Sequence, residues 1–367
     1  MKVSRLLVSL TSACGLFISQ AIFATSAPSI KVDPNQTWQH FVELADFIED
    51  KGKRTAGAPQ EKQMADWIAA QWQKAGLTAT RIGFDFKLKD TPLSSENLIV
   101  TLPGKSDKTI LIGAHYDSVG DHNGSLGLID NGSGVSALLT LAHTLKDQAL
   151  PYTVKLVAFG AEERGLKGSK AYVQQGLDGH KSIELDKLVA MINLDTIIGG
   201  DYLYVHSAHS TPYKCDFLSK TNYTSDTKVR DGLKTVSSNL FGDKAHQLHQ
   251  PFEGYPEGET GSWSDHSPFA CAGIPIGYLE ATNFAINGKR GNDGYSQVAD
   301  KAYWTCLDTD KLTACDRKSE KAWGEIWHTQ FDRADALFPV MKERLRSQLQ
   351  QNIQVLAQFL VEADQHL

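Results

Sequence analysis

Five residues of types that bind metal ions, His115, Asp130, Glu163, Asp195 and His328, are spread along this 367-residue chain, and the first four share a context. Each follows an apolar run or stands beside a glycine turn. Ile110-Leu111-Ile112-Gly113-Ala114 runs into His115-Tyr116-Asp117-Ser118, and Gly127-Leu128-Ile129 into Asp130-Asn131-Gly132-Ser133-Gly134. Val154-Lys155-Leu156-Val157-Ala158-Phe159 leads to Ala161-Glu162-Glu163, and Val189-Ala190-Met191-Ile192-Asn193-Leu194 ends on Asp195. Open parallel sheets gather function at the carboxyl ends of their strands. A repeated pattern of buried strand followed by acid or histidine therefore predicts one shared cleft.

Imidazole nitrogen and carboxylate oxygen are zinc ligands, and a catalytic zinc keeps one coordination position open. Two histidines and three carboxylates can hold two ions if one carboxylate bridges, and ions roughly 3.5–4 Å apart activate a water between them. Asp130 is the bridging candidate, because the small residues after it let backbone approach the site before a helix starts. The side chains of adjacent Glu162 and Glu163 diverge, so one can bind metal while the other serves as general base. Asp117, two residues after His115, suits the task of fixing the imidazole tautomer. The flanks of His328 carry no comparable signal. His122, His206, His209, His246 and His249 lack the strand-end context and are expected at the surface or in a lid.

The elements that must position these residues follow from periodicity. Trp38, Phe41, Val42, Leu44 and Phe47 share one helical face, and Met64, Trp67, Ile68 and Trp72 another, with a turn from Gly52 to Pro59 between them. Strand signals cover Thr80–Leu88, Asn97–Leu102 and Thr109–Ala114, and a helix runs from Gly134 to about Lys146. Strand, helix and strand recur through Asp195. This alternation predicts an α/β three-layer sandwich, with helices flanking a mixed, mostly parallel central sheet. A single domain is expected over residues 35–367. From 201 to 263 the pattern blurs, and again from 283 to 323; stretches that long without regular structure are expected to be lids. Between them lie Ser264-Asp265-His266-Ser267-Pro268-Phe269 and a strand-like Ile274–Leu279, and a last helix covers about Phe338–Val361.

Composition is that of a soluble globular chain, 41% hydrophobic and 22% charged. Residues 1–24 read as a secretory signal: Lys2 and Arg5, a mostly apolar Leu6–Phe23, then Ala24, Ser26 and Ala27. Its removal leaves 35 bases against 43 acids, a charge of about −8, with no basic stripe to meet nucleic acid. The expected location is periplasmic or secreted, with no stable membrane association after cleavage. Four cysteines then remain, an even count that suggests disulfides in an exported protein. Cys306 and Cys315 bracket a short polar loop and are the expected pair; Cys271 lies in an apolar segment and reads as a buried thiol.

These segments, in this order, resemble the secreted co-catalytic di-zinc aminopeptidases. The likeness rests on His115-Tyr116-Asp117-Ser118, Asp130-Asn131-Gly132-Ser133-Gly134, Glu162-Glu163, Asn193-Leu194-Asp195, Ser264–Phe269 with Gly273-Ile274-Pro275, and His328-Thr329 with Asp332. Leu279-Glu280-Ala281-Thr282-Asn283 and Asp293-Gly294-Tyr295 resemble its alkaline phosphatase isozyme conversion branch. The resemblance implies a zinc exopeptidase fold and two zinc ions per chain. Asp130, Glu163 and His328 would hold one ion, and Asp130, His115 and Asp195 the other. Glu162 would be the general base, Asp117 would support His115, and Asp265 would act from behind. It also implies hydrolysis of the N-terminal residue of peptides or proteins, with Glu280 able to pair a basic first side chain. Some relatives steady the oxyanion with a tyrosine before the Ser-Asp-His segment; here Tyr255, Trp263 and Tyr278 remain open for that role. Two other readings are a glutaminyl cyclase, which shares the fold and motifs but uses a single zinc, and a non-catalytic binding ectodomain.

Overall fold

The run Ile110–Ala114 lies inside an eight-stranded sheet and is covered on both faces. Ile110, Ile112 and Ala114 belong to one apolar core, and Leu111 to a second core on the other side. That is the alternation of a strand with helices above and below it. The computed structural model describes residues 29–120 and 123–367, so the expected signal segment 1–24 and His122 lie outside it.

Helices α1 (Pro34–Lys51) and α2 (Pro59–Lys74) come first. Then follow β1 (Thr80–Leu88), β2 (Thr91–Leu102), β3 (Gly104–His115), α3 (Gly132–Leu145), β4 (Leu150–Phe159), α4 (Lys167–Leu177) and β5 (Leu188–Leu194). The second half holds β6 (Tyr202–Ala208), α5 (Lys228–Phe241), β7 (Glu259–Thr260), α6 (His266–Cys271), β8 (Ile276–Thr282), a hairpin of β9 (Leu307–Asp308) and β10 (Thr313–Ala314), and α7 (Ala334–Val361). The sheet order is β1-β2-β4-β3-β5-β8-β6-β7. Its centre, β4-β3-β5-β8, is parallel; β1 and β2 pair antiparallel with their neighbours, and β6 runs antiparallel to β8 and parallel to β7. The expected three-layer α/β sandwich is the fold observed.

One helical layer joins α1, α2, α3, α5 and α7. Phe41, Leu44, Ala45 and Ile48 of α1 recur at helical spacing and are buried, as are Met64, Ala65, Ile68 and Trp72 of α2. The opposite layer is smaller: Tyr172 and Val173 of α4 and Phe269, Ala270 and Cys271 of α6 pack on Leu111, Val157, Phe159 and Met191. Gly134 opens α3 where it meets the strand ends. A Cβ there would lie 2.8 Å from the Leu194 carbonyl and 2.5 Å from Asn131 Oδ1, so any larger residue would push the helix off the sheet.

Three expectations are corrected. The stretch 201–263 is not one irregular lid, because β6 enters the sheet beside β8 and α5 packs in the helical layer. Tyr202–Ala208 carries Tyr202, Tyr204 and His206 at alternate positions and Ser207 after them, which hides a buried strand from an apolar count. Cys271 is not a free thiol but is bonded to Cys215, 56 residues away. His206, His246 and His249 are buried. His246 bridges the helical layer, with Nδ1 at 2.8 Å from Ser237 Oγ and Nε2 at 2.9 Å from Asn352 Oδ1. The Cys306–Cys315 bond forms as expected and staples the β9–β10 hairpin inside the irregular 283–323 stretch.

Candidate metal centre and active site

The carboxyl ends of β3, β4 and β5 bring the predicted residues into one cluster. His115 ends β3, and Asp195 follows β5. The acidic turn Glu162-Glu163 lies just beyond β4, and Asp130 precedes α3. His328 arrives from a loop 133 positions beyond Asp195, yet its Nε2 lies 3.0 Å from Asp130 Oδ2 and 3.2 Å from Glu163 Oε2. His115 Nε2 lies 3.1 Å from Asp130 Oδ1 and 3.5 Å from Asp195 Oδ1. One carboxylate therefore faces two histidines, one with each oxygen. His115, Asp130 and Asp195 form one triad of converging donors, and Asp130, Glu163 and His328 a second.

The electrostatics ask for positive charge. Asp117, Asp130, Glu162, Asp195, Asp265 and Asp332 are all buried, and among the described residues Arg54 is the one arginine buried with them. Burial and the Asp130 charge push the Glu163 carboxyl up to about 7, and burial lifts Glu162 well above its usual range, against the pull of His115. Asp265 and Asp332 are each raised to about 7, again chiefly by burial. The histidines move the other way from what burial alone would do. Asp130 and Glu163 hold His328 at about 11, and Glu162 and Asp195 keep His115 charged. The imidazolium protons offset part of the excess negative charge that divalent ions would neutralise. Glu163 Oε1 is buried without a hydrogen bond, a lone pair free for a cation. The donor set thus fits two divalent cations sharing Asp130.

Buried carboxylates hold the backbone around the cluster. Asp117 Oδ1 accepts from Glu162 N at 2.9 Å and its Oδ2 from Glu163 N at 3.1 Å. Its Oδ1 is 3.5 Å from His115 Nδ1, so the sequence expectation of a support for His115 describes the lesser part of what Asp117 does. Glu61 of α2 takes the next amide: its Oε1 accepts from Ala161 N at 3.0 Å and from Ser95 Oγ at 2.7 Å, and its Oε2 from Gly57 N at 2.5 Å. Three consecutive N–H groups, 161 to 163, are thereby held by two carboxylates. Ala161 needs such support, since its φ of 55° lies in the left-handed region that costs a non-glycine residue about 1 kcal/mol or more. Thr196 and His328 share that strained conformation, with φ of 49° and 61°.

Arg54 is wholly buried. Its Nε donates to the Tyr116 carbonyl at 2.8 Å, Nη1 to Leu126 O at 2.7 Å and Nη2 to Gly127 O at 2.9 Å, so one guanidinium joins the loops after β3 and before Asp130. Asp332 accepts from Ile129 N and Asp130 N, at 2.5 and 3.2 Å. Ser264 Oγ donates to Asp195 Oδ2 at 2.7 Å. Sequence reasoning missed Arg54 and Glu61. Both lie in or next to what reads as an ordinary turn, and the only signal was an arginine and a glutamate on either side of Gly57.

A cavity of 710 Å³ opens over the cluster. Tyr255, Trp263, Tyr278 and Glu280 line it, as the sequence suggested, together with Phe252 and Phe284. Asp265 is fully buried behind the carboxylates and is not part of its wall, so it cannot contact substrate directly. Glu280 Oε2 accepts from Tyr278 Oη at 3.0 Å. Its Oε1 is 2.8 Å from His206 Nε2, and that contact, against the effect of burial, holds the Glu280 carboxyl below its usual range. Burial holds the His206 imidazole below its usual range, leaving Glu280 as the net charge of this recess.

Residues 97–349 match peptidase family M28. The chain belongs to that family. It is accordingly a metallo-aminopeptidase, a hydrolase of peptide bonds, and its family chemistry depends on zinc. Among relatives, the alkaline phosphatase isozyme conversion protein of Escherichia coli is 30% identical over 266 residues, covering 67% of this chain and 72% of that one. Leupeptin-inactivating enzyme 1 of Streptomyces exfoliatus is 28% identical over 348 residues, covering 89% and 71%. In fold the chain is similar to a zinc aminopeptidase from Bacillus subtilis (TM-score 0.60, 18% identity, 92% and 96% covered). The glutaminyl cyclase of Porphyromonas gingivalis is as similar (TM-score 0.60, 17% identity, 91% and 99% covered). Neither structural likeness discriminates between the two activities.

Proposed function

We propose that this chain is an exported aminopeptidase that works with two zinc ions and removes the first residue of peptides or proteins, with a preference for a basic first residue. One ion would be held by His115, Asp130 and Asp195, the other by Asp130, Glu163 and His328. The observation that carries this reading is the placement of Asp130, whose two oxygens lie 3.1 and 3.0 Å from two different imidazoles. When bound, zinc supplies Lewis acidity that polarises the scissile carbonyl and makes a water nucleophilic at neutral pH. Glu162 is the one carboxylate at the mouth of the cluster that neither triad uses. It takes the proton from the attacking water and passes it to the departing amine. Asp117 and Glu61 keep the Glu162-Glu163 backbone still while that happens. Tyr278, Tyr255 and Trp263 line the cavity and are the candidates to steady the oxyanion.

The basic preference is supported by the Glu280 recess. A carboxylate on the cavity wall, beside Phe252, Tyr255 and Phe284, suits a cation through both charge and ring faces. Export is supported by two disulfides and by the signal-like first 24 residues. Among the described residues no helix is long and apolar enough to cross a membrane.

The test combines metal analysis with arginyl, lysyl and leucyl anilides before and after chelation. Two zinc ions per chain, with activity lost on chelation and restored by zinc, is the expected result. A single zinc, together with cyclisation of N-terminal glutamine, would establish the cyclase instead. Absence of turnover on every substrate would favour a binding ectodomain. Equal losses on all three anilides in Glu280→Ala would remove Glu280 from specificity.

A further inference from the structure

We propose that the cavity beyond His328 binds a carboxylate carried by the departing part of the peptide, with Arg290 as its main contact. The inference rests on the aminopeptidase reading above and adds a second specificity element to it. The catalytic cavity continues past Trp327 and His328 into a second cavity of 530 Å³; Arg290, Tyr295, Trp327 and His328 line both. With the first residue held against Glu280 and the scissile bond at the carboxylate cluster, the rest of the peptide has this continuation beside it.

The second cavity is cationic. Lys289, Arg290 and Lys321 line it against one carboxylate, Glu325, which Lys289 already pairs at 3.8 Å. Arg290 makes no ion pair among the described residues. Its guanidinium carbon lies 4.2 Å from the Tyr295 ring centroid, and Nη1 donates to Tyr295 Oη at 2.6 Å. Asp293 and Glu325 lie within electrostatic range of Arg290 without bonding it, and Asp293 turns Oδ1 to the Tyr295 amide at 3.1 Å. A guanidinium held against a ring and its hydroxyl, with its remaining N–H groups unused among the described residues, is organised for two-point capture of a carboxylate.

The rim is braced from behind. Arg317 Nη2 donates to Gly288 O at 2.8 Å, and Asn287 N donates to Leu312 O at 2.9 Å. Leu312 lies within the segment closed by the Cys306–Cys315 bond, and Arg317 follows it by two residues. The irregular stretch 283–323 thus presents a charged wall to the exit side of the active site. Its ligand is either the terminal carboxylate of a di- or tripeptide or an acidic side chain just after the scissile bond.

The test uses peptides that share an N-terminal arginine: Arg-Ala and Arg-Ala-Ala as free acids, the same two as amides, Arg-Glu-amide, and arginyl anilide. In the wild type the carboxylate-bearing peptides should have kcat/KM roughly tenfold above the neutral amides, mainly through KM, as one charge-assisted contact allows. In Arg290→Gln that ratio should fall towards one, and Arg290→Lys, which keeps charge without the fork, should restore part of it. Calorimetric titration of Arg-Ala and Arg-Ala-amide into Glu162→Gln protein gives the same comparison without turnover. An advantage for the free acids alone assigns the site to short peptides, and an equal advantage for Arg-Glu-amide assigns it to acidic side chains. A ratio near one in the wild type, or one untouched by Arg290→Gln, overturns the proposal. Failure to cleave any of these substrates, the anilide included, would instead defeat the underlying aminopeptidase reading.

Discussion

Replacing Glu61 is the sharpest test of how the acidic turn is held, because Glu61 touches no substrate and belongs to neither donor triad. In Glu61→Gln one oxygen remains. It can keep Ser95 Oγ and Ala161 N, or it can keep Gly57 N, but not both sets. Either way an amide NH₂ is turned towards a backbone N–H. Loss of one bond to a carboxylate and exposure of a donor without a partner amount to about 2 kcal/mol of stability. Glu61→Ala leaves the Ala161 and Gly57 amides without this acceptor, about 3–6 kcal/mol, a large part of the roughly 5–15 kcal/mol that holds a typical domain.

The functional cost follows from Ala161. Its left-handed turn immediately precedes the residues assigned as general base and metal ligand, and without Glu61 nothing on its N–H opposes relaxation. Outer supports of metal ligands are typically worth 10- to 100-fold in affinity or activity. Glu61→Gln should therefore lower kcat by roughly 10- to 100-fold with KM little changed, and should weaken zinc at the Glu163 site. The assays are steady-state kinetics on an arginyl anilide, zinc titration against a chelator, and urea unfolding. Wild-type kcat and zinc affinity in Glu61→Ala, with less than about 1 kcal/mol lost on unfolding, would show that the turn supports itself.

Glu162→Gln should cut kcat by roughly 10²–10⁴ while both zinc ions remain, read by kinetics beside metal analysis; near-normal turnover removes Glu162 as the base. Chelation should lower unfolding stability, and zinc at 1,000 times its Kd should restore about 4 kcal/mol, measured by urea titration at fixed pH. His246 is held at about 4 by burial, below its unfolded value of 6.5. The unfolded chain therefore binds the extra proton, and about 3 kcal/mol is present above pH 6.5 and lost as the pH falls towards 4. His246→Gln should flatten that part of the stability profile, and an unchanged acid limb would refute the assignment. Cys215→Ser with Cys271→Ser opens a closure of 56 residues and should cost about 4 kcal/mol, against about 3 kcal/mol for the nine-residue Cys306–Cys315 closure. Chemical denaturation of the two double variants ranks them.

The parallel centre of the sheet was legible because strands buried on both faces must be apolar throughout, so an acid or histidine at the end of such a run is conspicuous. Three of the five predicted metal-binding residues, His115, Glu163 and Asp195, carry that signature; Asp130 follows no strand and is marked only by the glycine turn after it. His328 carries neither mark: it lies in a left-handed loop, and its placement depends on Asp332 binding the Ile129 and Asp130 amides, a contact across some two hundred residues. β6 escaped notice because His206 and Ser207 interrupt it: His206 turns to Glu280 of β8, and Ser207, on the other face, accepts from Arg230 of α5. Strand β2 starts at Thr91, six residues before the expected Asn97, since its first part is an exposed hairpin arm whose register is set by pairing with β1. The last helix starts at Ala334 and continues through Pro339 with a kink at Met341, where sequence argues for a later start.

The segment matched by the family begins at residue 97, yet two of the buried charges nearest the active site come from before it. Arg54 ties the loop after His115 to the loop before Asp130, and Glu61 ties α2 to the turn before Glu162. Three strand ends can deliver ligands to one place, but the loops beyond them carry backbone donors and acceptors that the sheet does not satisfy. A buried arginine with three carbonyl partners and a buried glutamate with two amide partners meet that need. The consequence is physical: α1 and α2 are part of the catalytic apparatus, not a preceding decoration. A chain cut back to residue 97 would leave the Leu126, Gly127 and Tyr116 carbonyls and the Ala161 amide without these partners. It would also expose the faces of α3 and α7 that α1 covers, so loss of the first two helices should abolish zinc binding along with the fold.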